Sequence, residues 1–137
     1  MPQSAFYTGG MKFCISLLFL FTATACAAPP ASNYFWKTVY LSDHYLAVIA
    51  EVPFEPRSIG SYSVRLYHVG NPEFPYDDFR NGVIAARDGS LESITLHDTN
   101  QDNVKEIAVH IRSAGTGNFL SVDRYEIRNG RIEKFTP

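Results

Sequence analysis

Cysteine is nearly absent from this chain. The 137 residues hold two, Cys14 and Cys26, both close to the N-terminus. From there onward no disulfide framework and no thiol nucleophile exists. A basic excess is also missing: twelve Lys and Arg face fourteen Asp and Glu, net charge -2. That argues against binding nucleic acid by phosphate neutralisation. Charged residues are few at 19%, yet 45% of the chain is hydrophobic, which excludes a disordered tail. No stretch carries convincing 3.6-residue periodicity, so a helical domain is not expected. Catalytic signatures are lacking as well. There is no Gly-x-Ser-x-Gly elbow and no H-x-H or H-E-x-x-H among His44, His68, His97 and His110. Gly115-Thr116-Gly117 has Leu120 where a dinucleotide fingerprint needs its third Gly. A strand pattern follows it, so it does not read as a phosphate loop.

The N-terminal segment is present in the order a leader needs. Lys12 precedes an apolar run, Phe13–Phe21, which ends in the small residues Ala23, Ala25, Ala27 and Ala28. This is the layout of a secretory signal peptide, with Met11 an alternative start to Met1. Two cleavage patterns compete. Ala25-Cys26-Ala27 fits an ordinary small-residue site, and Ala23-Thr24-Ala25-Cys26 resembles a lipobox that would anchor Cys26 to a membrane. The expected division is residues 1–27 as extension and signal peptide, 28–33 as a Pro-Pro linker, and 34–137 as one folded domain. Removing Lys12 leaves 11 basic against 14 acidic residues, a mature charge of -3.

Aromatic weight lies in ten Phe and eight Tyr, residue types favoured in strands. Eight short β-rich runs recur between turn residues: Tyr34–Leu41, Tyr45–Glu51, Ser61–Val69, Gly82–Arg87, Leu91–His97, Val104–Arg112, Asn118–Arg128 and Arg131–Phe135. Asp88-Gly89 and Asn129-Gly130 are hairpin signals, because their central residues accept positive φ. In Glu106–Arg112, Ile107, Val109 and Ile111 share one face while Glu106, His110 and Arg112 share the other. The pattern predicts an all-β, antiparallel sandwich or barrel of about eight short strands. Val69–Asn81 is the longest irregular stretch and is expected to cover a sheet edge or end.

Two loops hold candidate chemistry. Asp98, Asn100, Asp102 and Glu106 stand at positions 1, 3, 5 and 9 of a turn, a spacing that can wrap Ca²⁺. Asn103 replaces the usual Gly and Val109 the usual final Glu, and an Asx-rich hairpin turn is the alternative. A calcium-stabilised envelope domain with a structural or adhesive role is therefore one functional reading. No other cofactor is expected. The segment Arg112–Ser121 is longer than a hairpin needs, and its small residues flank one aromatic. Such a loop can protrude and approach a partner's backbone closely.

Taken in order, Val48-Ile49-Ala50-Glu51, Glu55–Tyr67, Asp98-x-Asn100-x-Asp102-x-x-x-Glu106-Ile107 and Arg112–Phe119 resemble the bacterial periplasmic inhibitors of invertebrate-type lysozyme. The resemblance runs from about Tyr45 to Phe135. It implies a β-sandwich with no enzymatic activity of its own, located in the periplasm and binding lysozyme, most naturally of the invertebrate type. In this family a loop of pattern Ser-Gly-x-Tyr enters the active-site cleft. Thr116-Gly117-Asn118-Phe119 stands at that position, so the implied contact set is Ser113, Gly115, Thr116, Gly117, Asn118 and Phe119. Arg57, Ser58 and Tyr62 form a secondary set. Thr116 keeps a hydroxyl, whereas Phe119 lacks the phenol of the pattern. A charge of -3 suits a basic partner. Self-association into a homodimer stays open, and membrane attachment is expected only through a lipidated Cys26.

Overall fold

A computed structural model describes residues 34–135; the expected leader, its cleavage sites and the linker 28–33 lie outside the described residues. Eight strands form: β1 (Trp36–Tyr40), β2 (Tyr45–Glu51), β3 (Gly60–His68), β4 (Asp78–Arg87), β5 (Ser90–His97), β6 (Glu106–Arg112), β7 (Leu120–Arg128) and β8 (Arg131–Phe135). They make two four-stranded antiparallel sheets in the orders β1-β2-β3-β4 and β5-β6-β7-β8. Each sheet is a meander, so every strand pairs with its neighbours in sequence.

The side-chain parity of the strands sets the core. Val39, Ala47, Ile49, Tyr62, Val64 and Leu66 from the first sheet meet Leu91, Ile94, Ile107, Val109, Ile111, Tyr125 and Ile132 from the second. On β6 the expected alternation holds, with Ile107, Val109 and Ile111 buried in this cluster. A second small cluster lies on the outer side of the first sheet, where Leu46 and Val48 pack with Val69 and Tyr67. This is why β2 reads as a continuous apolar run rather than an alternating one. The 69–77 connection covers the outer side here. Val69 N–H donates to His44 O at 2.8 Å, and the Tyr76 ring meets Tyr67 edge-on at 5.6 Å.

The structure lengthens one strand relative to expectation. β4 begins at Asp78 rather than Gly82, with a register shift between Leu66 and Tyr67 on its partner. That bulge lets Phe79 pair with Tyr67, although Asp78-Phe79-Arg80-Asn81 carries no alternation of its own. The two sheets are joined beside β4 and β8 by a side chain acting as a short strand. Asn81 donates from Nδ2 to Ile132 O at 3.0 Å and accepts from Ile132 N–H at 2.8 Å through Oδ1. The Asn129-Gly130 hairpin has φ of 50° and 71°, the left-handed pair its sequence calls for.

A buried ion pair organises one end of the sandwich. Glu51 and Arg87 have fully buried side chains, with Nε 3.8 Å from Oε1. Glu51 accepts from Phe35 N–H at 3.1 Å and Leu91 N–H at 2.8 Å. Arg87 donates to the carbonyls of Ser61, Arg57, Pro56 and Gly89. These bonds fasten the β2–β3 loop (52–59) and the β4–β5 turn to one cation. Gly89 has φ of 129°, and a Cβ there would collide with the carbonyl of Arg112. Only glycine fits, because the turn lies directly against the end of β6. The β2–β3 loop and the β6–β7 loop (113–119) therefore emerge at the same end.

Candidate functional site

The β6–β7 loop is a closed and braced structure. Ser113 N–H donates to Phe119 O at 2.8 Å and closes its base, and Asn118 N–H donates to Gly115 O at 3.1 Å across its tip. Ser113 Oγ accepts from Gly115 N–H at 3.2 Å, so this hydroxyl shapes the loop from within. Asn118 adopts φ of 47°, a left-handed conformation that Asn tolerates better than most residues. A Cβ at Gly117 would strike the Phe119 ring, so the ring lies folded over that position.

What the loop presents follows from this shape. Residues 114–119 are all exposed, and the Phe119 ring is 75% exposed. The Thr116 hydroxyl has no hydrogen-bond partner among the described residues. The tip thus offers a free hydroxyl at Thr116 and an exposed apolar ring at Phe119. Leu120 and Val122 continue the exposed apolar surface onto β7.

The brace is a pair the sequence reading missed. Arg112 at the end of β6 donates through Nη1 to Asn118 O at 3.2 Å, and through Nη2 to both carboxylate oxygens of Glu92, each at 2.7 Å. Ser90 pairs with Arg112 across β5 and β6, and a bulge between Leu91 and Ser93 alters the register at Glu92. Nothing local in Leu91-Glu92-Ser93 announces that register change. The only available signal was two opposite charges on strands expected to form a hairpin.

The secondary contact set divides. Arg57 and Ser58 are exposed on the β2–β3 loop, at the same end as the Thr116 loop. Phe54, 95% exposed with φ of 72°, stands on that loop too and was not anticipated. Its N–H donates to Tyr34 Oη at 2.7 Å. Tyr62 is a correction. It is wholly buried and cannot reach a partner's surface. The parity of Tyr62, Val64 and Leu66, alternating with Ser61, Ser63 and Arg65, sends it inward. Its hydroxyl lies 2.6 Å from that of Tyr125 and donates to Asp123 Oδ2 at 2.5 Å, and Lys134 Nζ lies 2.8 Å from Asp123 Oδ1. Burial, then the hydrogen bonds to Asp123 and Tyr125, push the Tyr62 phenol far above its ordinary range. Burial likewise pushes Tyr125 up to about 12.

The Asp98–Glu106 turn lies at the opposite end of β6. Its side chains are spent on backbone amides. Asp98 Oδ2 accepts from Asn103 N–H, Asp102 Oδ1 from Val104 N–H, Asn100 Oδ1 from Asp102 N–H and Glu106 Oε2 from Thr99 N–H, at 2.8–3.1 Å. Gln101 and Asn103 take φ of 61° and 65°. The hydrogen bonds are those of the Asx-rich turn; among the described residues no three His, Cys, Asp or Glu side chains converge as metal ligands. His110 pairs with Ser93 and sits 2.9 Å from Thr95 Oγ1, while His97 pairs with Glu106, so those two histidines do not meet.

Comparison with known proteins places this architecture. Two crystal structures from Aeromonas hydrophila are similar to it. One is of PliI in complex with Meretrix lusoria lysozyme, at 40% identity and a TM-score of 0.69, covering 74% of this chain and 81% of that one. The other is of PliI-Ah, described as a periplasmic lysozyme inhibitor of I-type lysozyme, at 38% identity and 0.68, covering 74% and 85%. No curated protein matches the chain. Residues 33–137 match the family model for the periplasmic lysozyme inhibitor of I-type lysozyme, which spans the whole two-sheet fold and the braced loop. The chain belongs to the family of periplasmic lysozyme inhibitors of I-type lysozyme.

Proposed function

We propose that this chain inhibits I-type lysozyme in the periplasm by seating the Ser113–Phe119 loop in the enzyme's active-site cleft. The observation that carries the reading is the loop itself. It is exposed and held by Arg112, and its outermost groups are the Thr116 hydroxyl and the Phe119 ring. A glycoside-hydrolase cleft holds two carboxylic groups, one ionised and one protonated, beside a surface that packs sugar rings. A hydroxyl can donate to the first kind and accept from the second. Each such charge-assisted bond contributes about 1.5–3 kcal/mol. The Phe119 ring takes the place of a sugar face, and the absence of a Cβ at Gly117 lets the tip enter a narrow opening. Arg57, Ser58 and Phe54 on the neighbouring loop supply the rim. On this reading the protein catalyses nothing; it blocks the catalysis of another.

The reading extends to the whole chain: residues 1–27 direct export, 28–33 tether, and 34–137 inhibit. Cys26 is either removed with the leader or retained with lipid. The intact mass of the exported protein distinguishes the two. The functional test is lysis of a cell-wall suspension by invertebrate-, chicken- and goose-type lysozymes with increasing amounts of the purified domain. Stoichiometric inhibition of the invertebrate-type enzyme is expected; full activity at a molar excess of the domain contradicts the proposal.

A further inference from the structure

A half-buried arginine on the outer face of the first sheet, Arg65, has no ion-pair or hydrogen-bond partner among the described residues. On β3, Ser61, Ser63, Arg65 and Tyr67 point outward, away from the core. Arg65 lies across from Val48 on β2 and Gly82 on β4. Gly82 has no side chain to screen it, and a Cβ there would crowd Arg65 Cγ at 3.3 Å. The Nε of Arg65 is buried with no hydrogen-bond acceptor, and among the described residues no carboxylate pairs with this guanidinium. Carboxylates nearby are committed elsewhere: Glu51 accepts from Phe35 and Leu91 N–H, and Glu55 accepts from Ser61. An unpaired, partly desolvated cation is costly and invites an anion from outside.

The surroundings say what kind of anion. Arg65 borders an open groove of about 450 Å³. Its walls are Tyr34, Trp36 and Pro53, and its floor is the small pair Ala50 and Ser63, which are register partners. Trp36, 63% exposed, is held over Ala50 by the β1–β2 register. Tyr34 is fixed by the bond that its hydroxyl accepts from Phe54 N–H. The groove therefore combines two aromatic faces, one serine hydroxyl and a guanidinium suited to a planar carboxylate. Aromatic faces with hydroxyl partners fit a pyranose ring better than a flexible acidic side chain. We infer that the Trp36–Arg65 groove is a binding site for a carboxylated sugar, an acidic glycan fragment whose ring lies on Trp36 and whose carboxylate pairs with Arg65. The residues of this site are distinct from those of the β6–β7 loop, although Pro53 and Tyr34 adjoin Phe54 of the β2–β3 loop.

Trp36 is the chain's single tryptophan, so its fluorescence reports on the groove alone. The purified protein is titrated with N-acetylmuramic acid, with N-acetylglucosamine as the ring lacking the carboxylate, and with an acidic tetrapeptide. A saturable change with N-acetylmuramic acid is expected, at least tenfold tighter than with N-acetylglucosamine. Arg65→Met, checked for folding by circular dichroism, should lose at least tenfold in affinity, and Arg65→Lys should recover part of it. The inference is overturned by no saturable change, by equal responses to the two sugars, by unchanged affinity in folded Arg65→Met, or by response to the tetrapeptide alone. Should Arg65→Met fail to fold, Ser63→Ala serves instead, with a loss of threefold or more expected and an unchanged affinity overturning the inference.

Discussion

Replacing Arg112 with alanine separates two quantities that usually change together. In the Arg112–Glu92 pair one guanidinium nitrogen is shared between both carboxylate oxygens, and the two side chains are 36% and 42% exposed. A pair this wet contributes at most about 1 kcal/mol to folding. In a domain of this size that corresponds to a Tm loss of about 4–8 °C or less. Binding should suffer more. Without Arg112, the Asn118 carbonyl loses its donor and the loop keeps only the Ser113–Phe119 and Gly115–Asn118 backbone bonds and the internal Ser113 Oγ contact. If the braced conformation falls to a tenth of the population, apparent affinity for lysozyme falls tenfold, about 1.4 kcal/mol. Glu92→Gln, which keeps an acceptor but loses charge, should fall between parent and Arg112→Ala. Competition titration against I-type lysozyme, with hydrogen exchange at the Asn118 amide, measures both effects. An affinity within twofold of the parent despite faster Asn118 exchange would refute the reasoning. So would a Tm loss above about 10 °C with binding intact.

Arg87→Met should cost about 3–5 kcal/mol, because it leaves the Glu51 carboxylate buried without its cation and frees the loop and turn carbonyls of Pro56, Arg57 and Gly89; denaturant titration checks this, and Glu51→Gln in the same chain should restore part of the loss. The Tyr62–Tyr125 pair makes the fold sensitive to alkali. Both phenols stay protonated in the folded state above the pH near 10 where those of the unfolded chain ionise, so stability is intact below pH 10. It should fall between pH 10 and 12 by about 1.4 kcal/mol per pH unit for each tyrosine, and Tyr62→Phe should reduce that slope in urea melts at several pH values. Asp98→Asn with Asp102→Asn should lower stability by about 1 kcal/mol and leave lysozyme affinity within twofold, since the seven residues of β6, roughly 20 Å, separate the turn from the loop. Calcium should leave the Tm of the parent unchanged; a rise of several degrees would return the turn to a metal role.

The strand framework was legible because it is written in short-range chemistry. Asn129-Gly130 specifies its turn by φ alone, and Ile107, Val109 and Ile111 specify a face by parity. Parity also held the answer for Tyr62, since Val64 and Leu66 mark its side of β3 as inner. Other features depend on contacts that sequence neighbours do not encode. The four added residues of β4 rest on a bulge at Arg80 opposite Leu66 and Tyr67, and the burial of Glu51 and Arg87 rests on a pairing across 36 positions in the chain. The loop's position was readable, since small residues between two strands mark a hairpin tip. Its brace was not, because Glu92 lies 20 residues from Arg112 and beside an irregular register.

The central claim is that the tip of the β6–β7 loop is what lysozyme meets. Inhibition of an I-type lysozyme should be titrated with the parent, Thr116→Ala, Phe119→Ala and Phe119→Tyr, each with its melting curve. The account predicts unchanged Tm in all four, because residues 114–119 are exposed, and weaker inhibition by about tenfold or more in both alanine variants. Phe119→Tyr should inhibit more tightly than the parent. Four equal inhibition constants, with the parent active, would contradict the claim and move the contact to the Phe54–Ser58 loop.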